Sequence, residues 1–172
     1  MAKLQITLLG CGKMGSAMLR GWLADPGLNA QFTIIEPSAE HLGWTDVHQE
    51  VAVYSDCDAA ITAGAPVSAV IVLAVKPQMM DEAIAEFGPL RDDKTAFLTI
   101  AAGISSSWLK ARLGKNTPVL RAMPNTPAAI GKGVTALYFD SATTDLAALA
   151  TQLLRTIGAV VPIYDESRMD AV

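Results

Sequence analysis

The sequence predicts an α/β fold, a doubly wound, mostly parallel sheet with helices on both faces. Three observations carry this expectation. Short apolar runs alternate with stretches of helical periodicity almost throughout the 172 residues. One run, Val67 to Val75, is nearly all apolar and rich in valine, as a central strand buried on both faces must be. The first run, Leu4 to Leu9, passes through Gly10-Cys11-Gly12-Lys13-Met14-Gly15 into a helical pattern.

That strand, glycine turn and helix make the expected sheet Rossmann-like. The first glycine permits a tight turn, the second lets backbone approach phosphates, and the third lets helix and strand pack closely. The helix N-terminus then points its free N–H groups at an anion, so the unit is read as a grip on a dinucleotide pyrophosphate. Met14, Ala17, Met18, Gly21 and Trp22 recur on one face of the helix that follows. A second strand, Phe32 to Ile35, ends in Glu36, about 20 residues beyond the last glycine. A carboxylate there accepts hydrogen bonds from the adenosine ribose hydroxyls and repels a 2′-phosphate; the plainer alternative is a solvated strand end.

From Ser38 to Glu50 the pattern is weak. A strand is expected at Val51–Tyr54, then a short helix capped by Ser55 or Asp56 and running through Ile61, ended by Gly64 and Pro66. After the Val67–Val75 strand, Pro77 can open a helix whose buried stripe is Met80, Ala83, Ile84 and Phe87. Thr95–Ile100 reads as a strand. Ser105-Ser106-Ser107 offers N-cap oxygens to a helix through Leu113, closed by Gly114. Val119–Met123 and Val134–Phe139 are further strands, with a proline-rich loop between them. Leu146 to Ile157 carries the stripe of a last helix, and Ala159–Tyr164 completes the sheet at an edge, where Pro162 is tolerated. One doubly wound domain accounts for the chain.

Composition narrows the function classes. Half of the residues are hydrophobic, but no uninterrupted apolar run approaches the ~20 residues that span a bilayer. The first strand begins without signal-peptide architecture, and Cys11 and Cys57 suggest no disulfide framework, so a cytoplasmic location is expected. The net charge of −4 gives no footprint for nucleic acid. No cluster of His, Cys, Asp and Glu has metal-ligand spacing, and surface roles are expected for His41 and His48. Without a Ser–His–Asp arrangement, the difficult step falls to a cofactor, which fits hydride transfer.

Ligands of such sheets bind beyond the C-terminal strand ends. Three further segments are expected there. In Ala74-Val75-Lys76-Pro77 the lysine leaves a buried strand in extended backbone. It either helps to position nicotinamide or substrate or simply reaches solvent. Ala101-Ala102-Gly103 leaves room for a ring or ribose against backbone, or is only a tight turn. In Arg121-Ala122-Met123-Pro124-Asn125-Thr126-Pro127, two prolines stiffen a loop that offers an amide and a hydroxyl. Arg121 either holds an anion or pairs with a carboxylate.

On these segments the chain resembles the pyrroline-5-carboxylate reductases, over essentially all of its length and in the same order. The ending Asp165-Glu166-Ser167-Arg168-Met169-Asp170-Ala171-Val172 also looks like that family's lead into its next segment. Two departures are Lys13, where the family usually has asparagine, and Glu36, where many relatives lack an acid and use the phosphorylated cofactor. The resemblance implies hydride transfer from reduced nicotinamide to the C=N carbon of 1-pyrroline-5-carboxylate, giving L-proline, the last step of proline biosynthesis. It implies that Gly10 to Gly15 hold the pyrophosphate, that Ala74–Pro77 and Ala101–Gly103 line the nicotinamide side, and that Asn125 orients the ribose or ring. Lys76 is at most a positioning residue, and no catalytic residue is assigned.

The resemblance further implies residues 1–164 as the NAD(P)-binding domain and 165–172 as the start of a connection to a helical dimerisation domain absent from this chain. The whole protein is then a homodimer or higher homo-oligomer, and the 172-residue chain alone has little or no activity. A β-hydroxyacid-type dehydrogenase and a non-catalytic dinucleotide sensor are the alternatives. NADPH or NADH is the expected cofactor. Glu36 disfavours a 2′-phosphate and no Lys or Arg lies between Pro37 and Gly43, whereas Ser38 offers a phosphate a hydrogen bond.

Overall fold

A computed structural model of the protein describes residues 3–85 and 87–171, without the side chains of Asp170 and Ala171. Eight strands form one sheet: β1 (Leu4–Leu9), β2 (Ala30–Ile35), β3 (Val51–Tyr54), β4 (Val70–Leu73), β5 (Ala96–Thr99), β6 (Val119–Pro124), β7 (Gly133–Tyr138) and β8 (Gly158–Ile163). Their order is β3-β2-β1-β4-β5-β6-β7-β8, with every neighbour parallel except the antiparallel pair β6–β7. The fold is therefore the expected Rossmann-like, mostly parallel, doubly wound sheet.

Helices α1 (Lys13–Ala24), α2 (Cys57–Thr62), α3 (Met80–Ala83), α4 (Ser106–Leu113) and α5 (Thr144–Arg155) cover it. Side chains alternate across each strand, so the sheet feeds two apolar layers. In one, Ile6, Leu8 and Ile34 meet Met18, Leu19 and Trp22 of α1 and Leu153 and Leu154 of α5. Trp22 stacks on Phe32 at 5.6 Å, and its Nε1–H donates to the Leu153 carbonyl at 2.9 Å, so one indole ties α1 to both β2 and α5. The other layer joins Ile71, Leu73 and Phe97 to Ala60, Met80 and Leu109.

The expected caps form. The Asp56 carboxylate accepts from the Ala59 amide at 2.7 Å, and Ser105 Oγ from the Trp108 amide at 3.1 Å. Pro162 sits on the edge strand β8, where a missing N–H breaks no ladder to a further strand.

Two expected elements differ in the structure, and two stretches without an expected element acquire one. The strand expected over Val67–Val75 is paired only from Val70 to Leu73; Val67 is exposed, and the Ser68 amide turns to the Leu90 carbonyl. The helix expected from Pro77 is a 3₁₀ turn, Pro77–Met79, and one α-turn, followed by a second 3₁₀ turn at Gly88–Leu90. The unpatterned 38–50 stretch contains a 3₁₀ segment, Ala39–Thr45, that buries Leu42 against α1. The proline-rich loop winds into a further 3₁₀ turn, Thr126–Ile130, which packs on α1.

Candidate functional site

Five chain segments end at the same edge of the sheet. Gly10 follows β1, Glu36 follows β2, Ala74 follows β4, Ala101 follows β5 and Asn125 follows β6, and these five strands run parallel. The glycine turn, Glu36, Ala74–Pro77, Ala101–Gly103 and Asn125 therefore lie along one rim.

The glycine turn divides its labour as the spacing demands. Gly10 has φ +85°, and a Cβ there would lie 2.9–3.0 Å from Val75 Cγ1 and the Ala74 backbone. A Cβ on Gly15 would meet the Gly10 carbonyl oxygen, so the third glycine is what lets α1 rest on the turn. A Cβ on Gly12 would meet nothing within 4 Å. Gly12 is the N-cap of α1, where no side chain caps the first turn and no acidic residue offsets the helix dipole. Open space at an uncapped helix N-terminus is a seat for an anionic group. Lys13 and Met14 open the helix, Lys13 exposed and Met14 half-buried.

Cys11 is fully buried, and burial pushes its thiol up, which leaves it a packing residue rather than a nucleophile. Its backbone is tied on both sides. The Cys11 amide donates to Glu36 Oε2 at 2.7 Å, and the Ser38 amide donates to Glu36 Oε1 at 3.1 Å. Two of the roughly four lone-pair sites of that carboxylate are thus taken, which leaves two, enough for a pair of vicinal hydroxyls. The Cys11 carbonyl accepts from Ser16 Oγ at 2.8 Å and lies 2.8 Å from His41 Nε2. His41, expected only at the surface, is exposed yet fastened to the glycine turn. No spacing rule connects positions 11 and 41; the contact needs the 3₁₀ segment to fold back.

Along the rest of the rim, Lys76 and Pro77 are exposed and Ala74 and Val75 half-buried. Ala101 is buried, and Ala102 and Gly103 are exposed, with Gly103 at φ +73°. Asn125 Oδ1 accepts the Val134 amide at 2.8 Å, which leaves the NH₂ end of its exposed side chain to donate.

Arg121 takes the carboxylate partner. Only 3% exposed, it donates to Glu166 Oε1 at 2.8 Å. The same carboxylate accepts the Ser106 amide at 2.7 Å and the Ser106 hydroxyl, closing the N-terminus of α4. Burial pushes the Glu166 carboxyl up, but the Ser106 and Arg121 hydrogen bonds outweigh it and hold the group below its ordinary value. The 3₁₀ turn Glu166–Ala171 is thereby fastened beside the rim, with Met169 buried. Of the C-terminal motif noted above, Val172 lies outside the described residues.

A slot of about 190 Å³ that the sequence did not announce is lined mainly by Leu9, Ile35, Pro37, Cys57, Val75 and Met79, with the polar Ser55, Asp56 and Glu82 also in its wall. Its walls come from separate segments, so no local motif announces it. Its apolar lining suits a flat ring next to the Glu36 carboxylate. A wider groove of about 910 Å³ lies between the C-terminal end of α1, α5 and β8, away from the glycine turn.

Known proteins share this sequence pattern and fold. The family model described as NADP oxidoreductase, coenzyme F420-dependent, matches residues 5–103, more than half of the chain. The chain belongs to this family. Within the NADP oxidoreductase family, the resemblance drawn from the motifs is met by two relatives named pyrroline-5-carboxylate reductase. The one from Pseudomonas aeruginosa is 33% identical, over 98% of this chain and 60% of its own length. The one from Mycobacterium tuberculosis is 32% identical, over 98% and 57%. A solved pyrroline-5-carboxylate reductase from Coxiella burnetii superposes with a TM-score of 0.84 at 25% identity, over 98% of this chain and 62% of that one. The chain spans about 60% of the length of these relatives. A prephenate dehydrogenase from A. aeolicus shares the fold, with a TM-score of 0.74 at 11% identity. Among the described residues, no helix is long and apolar enough to cross a membrane.

Proposed function

We propose that this chain is the dinucleotide-binding domain of a pyrroline-5-carboxylate reductase, which reduces 1-pyrroline-5-carboxylate to L-proline with NADH or NADPH. The observation that carries the reading is the open space at Gly12 over the uncapped N-terminus of α1, beside a Glu36 carboxylate that holds the turn at Cys11 and keeps two lone-pair sites. In this reading, the turn Gly10, Cys11, Gly12, Lys13, Met14 and Gly15 seats the pyrophosphate. Gly10, Cys11 and Gly15 shape it, with the Cys11 amide held by Glu36, and the N–H groups at Gly12, Lys13 and Met14 donate. Glu36 and Ser38 meet the adenosine ribose, and the apolar slot beside them takes the adenine.

Reduced nicotinamide, when bound, supplies the hydride. Ala74, Val75, Lys76 and Pro77 line its side of the rim together with Ala101, Ala102 and Gly103, and Asn125 donates its amide hydrogens to the ribose or ring. A protonated cyclic imine is already electrophilic, so these residues position the reactants and exclude water without a covalent nucleophile. The reading extends to a cytoplasmic homodimer or higher homo-oligomer that needs neither nucleic acid nor membrane. Residues 1–164 form the domain, and 165–172 lead to a helical dimerisation domain.

The test is an assay of this chain extended to the length of its relatives, with 1-pyrroline-5-carboxylate and each reduced dinucleotide. Turnover to L-proline by the extended protein, and little or none by the 172-residue chain, is the expected result. Dinucleotide binding without turnover in the extended protein indicates a sensor instead, and oxidation of a β-hydroxyacid indicates the other dehydrogenase class. Glu36→Ala removes a negative charge from the 2′ position, so it is expected to raise the affinity for NADPH relative to NADH by about tenfold. An unchanged ratio in calorimetric titrations removes Glu36 from cofactor choice.

A further inference from the structure

His41 belongs to none of the motifs read from the sequence, yet it is bound to the centre of the glycine turn. A backbone carbonyl only accepts, so the 2.8 Å contact with Cys11 O assigns the proton to His41 Nε2. The ring is exposed, and its other nitrogen, Nδ1, has no hydrogen-bond partner among the described residues. The 3₁₀ segment Ala39–Thr45 that carries it begins directly after Ser38, so this nitrogen belongs to the same rim as Glu36 and the Ser38 amide.

We propose that His41 is a specificity-determining residue for the 2′ position of the adenosine ribose, and the group that admits a 2′-phosphate despite Glu36. The inference rests on the dinucleotide reading above. With Nε2–H committed to Cys11, a second proton enters only at Nδ1, which gives an N–H donor and a positive charge at the rim. A 2′-phosphate needs both. Glu36 repels it there and already holds the Cys11 and Ser38 amides that would otherwise donate to it.

On α1, Arg20 lies with its guanidinium carbon 3.7 Å from the centroid of the Trp44 ring; stacking fixes its position and keeps its charge, so it adds to the positive field at the turn while His41 supplies the donor fastened to Cys11. Lys13, also on α1, stands at the first helical position, where the pyrophosphate is read. Glu36 at the end of β2 and Glu40 beside His41 are the acids, and both oppose a phosphate. In its neutral form His41 Nδ1 instead accepts a hydrogen bond, which suits the free 2′-hydroxyl of NADH.

Calorimetric titration of the wild type, His41→Gln and His41→Arg with NADH and with NADPH tests the proposal. Glutamine keeps an N–H donor for Cys11 and loses the second nitrogen, so the ratio Kd(NADPH)/Kd(NADH) is expected to rise about tenfold, or ~1.4 kcal/mol. Arginine fixes a cation at the rim and brings the ratio below the wild-type value. A side chain that only braces Cys11 changes both affinities by one factor, so an unchanged ratio in both variants overturns the proposal. A folded wild type that binds neither dinucleotide overturns the dinucleotide reading itself, and this inference with it. A binding wild type whose ratio is unmoved by either variant overturns this inference alone.

Discussion

Gly12→Val is expected to weaken the binding of both NADH and NADPH by at least about a hundredfold, or ~2.7 kcal/mol, while the fold is kept at a cost of about 1 kcal/mol from the poorer N-cap. The two effects separate because a Cβ at Gly12 meets nothing within 4 Å and the backbone there has a negative φ, −66°, so the substitution displaces no neighbour. The added methyl groups project into the space through which a pyrophosphate reaches the N–H groups of α1. Titration and thermal melting of the same sample check the prediction. Full affinity in a folded Gly12→Val variant would mean that the anion sits elsewhere on the rim.

The second large effect concerns stability. Glu166→Ala is expected to cost roughly 3 kcal/mol, because it strips the carboxylate from an arginine that stays buried. It also removes the acceptor that closes the N-terminus of α4 at Ser106. For a chain of this size the loss lowers the thermal midpoint by about 10 °C. Because the folded-state carboxyl titrates below its ordinary value, the stabilisation is fully present above that value and is lost as pH falls through the folded one. The difference between wild type and variant therefore narrows below about pH 4. A neutral-pH loss under about 1 kcal/mol in denaturant titrations would reduce the contact to an ordinary surface pair.

The parts of this molecule that were legible in its sequence are those in which a single local rule dictates the backbone. The glycine turn is one, since its first and third glycines face contacts that exclude a Cβ. The Asp56 and Ser105 caps are others, each needing one side-chain oxygen three residues before an amide. The edge placement of β8 followed from Pro162.

Where burial and backbone pairing part company, the pattern misleads. Met80, Ile84 and Phe87 are all buried at helical spacing, as expected, but only Met80–Ala83 is α-helical. Phe87 is held edge-to-face on Phe97 at 5.4 Å, so packing keeps the face without a continuous helix. The apolar run from Val67 likewise reports a buried region rather than the ladder of β4.

The site was legible as a set of segments but not as a set of contacts. The sequence brings Glu36 to the end of β2; it does not say that both carboxylate oxygens hold backbone amides. His41 and the apolar slot escaped because each joins residues from elements distant along the chain. Arg121 was read with two roles open, and the partner that decides between them lies 45 positions further on.

If this chain seats a dinucleotide across the glycine turn, calorimetric titration of the folded 172-residue chain with NADH and NADPH will show it. Saturable one-to-one binding of at least one of them, abolished by Gly12→Val, is the predicted result. A folded chain that releases no binding heat with either, and shows no thermal stabilisation by them, would contradict it.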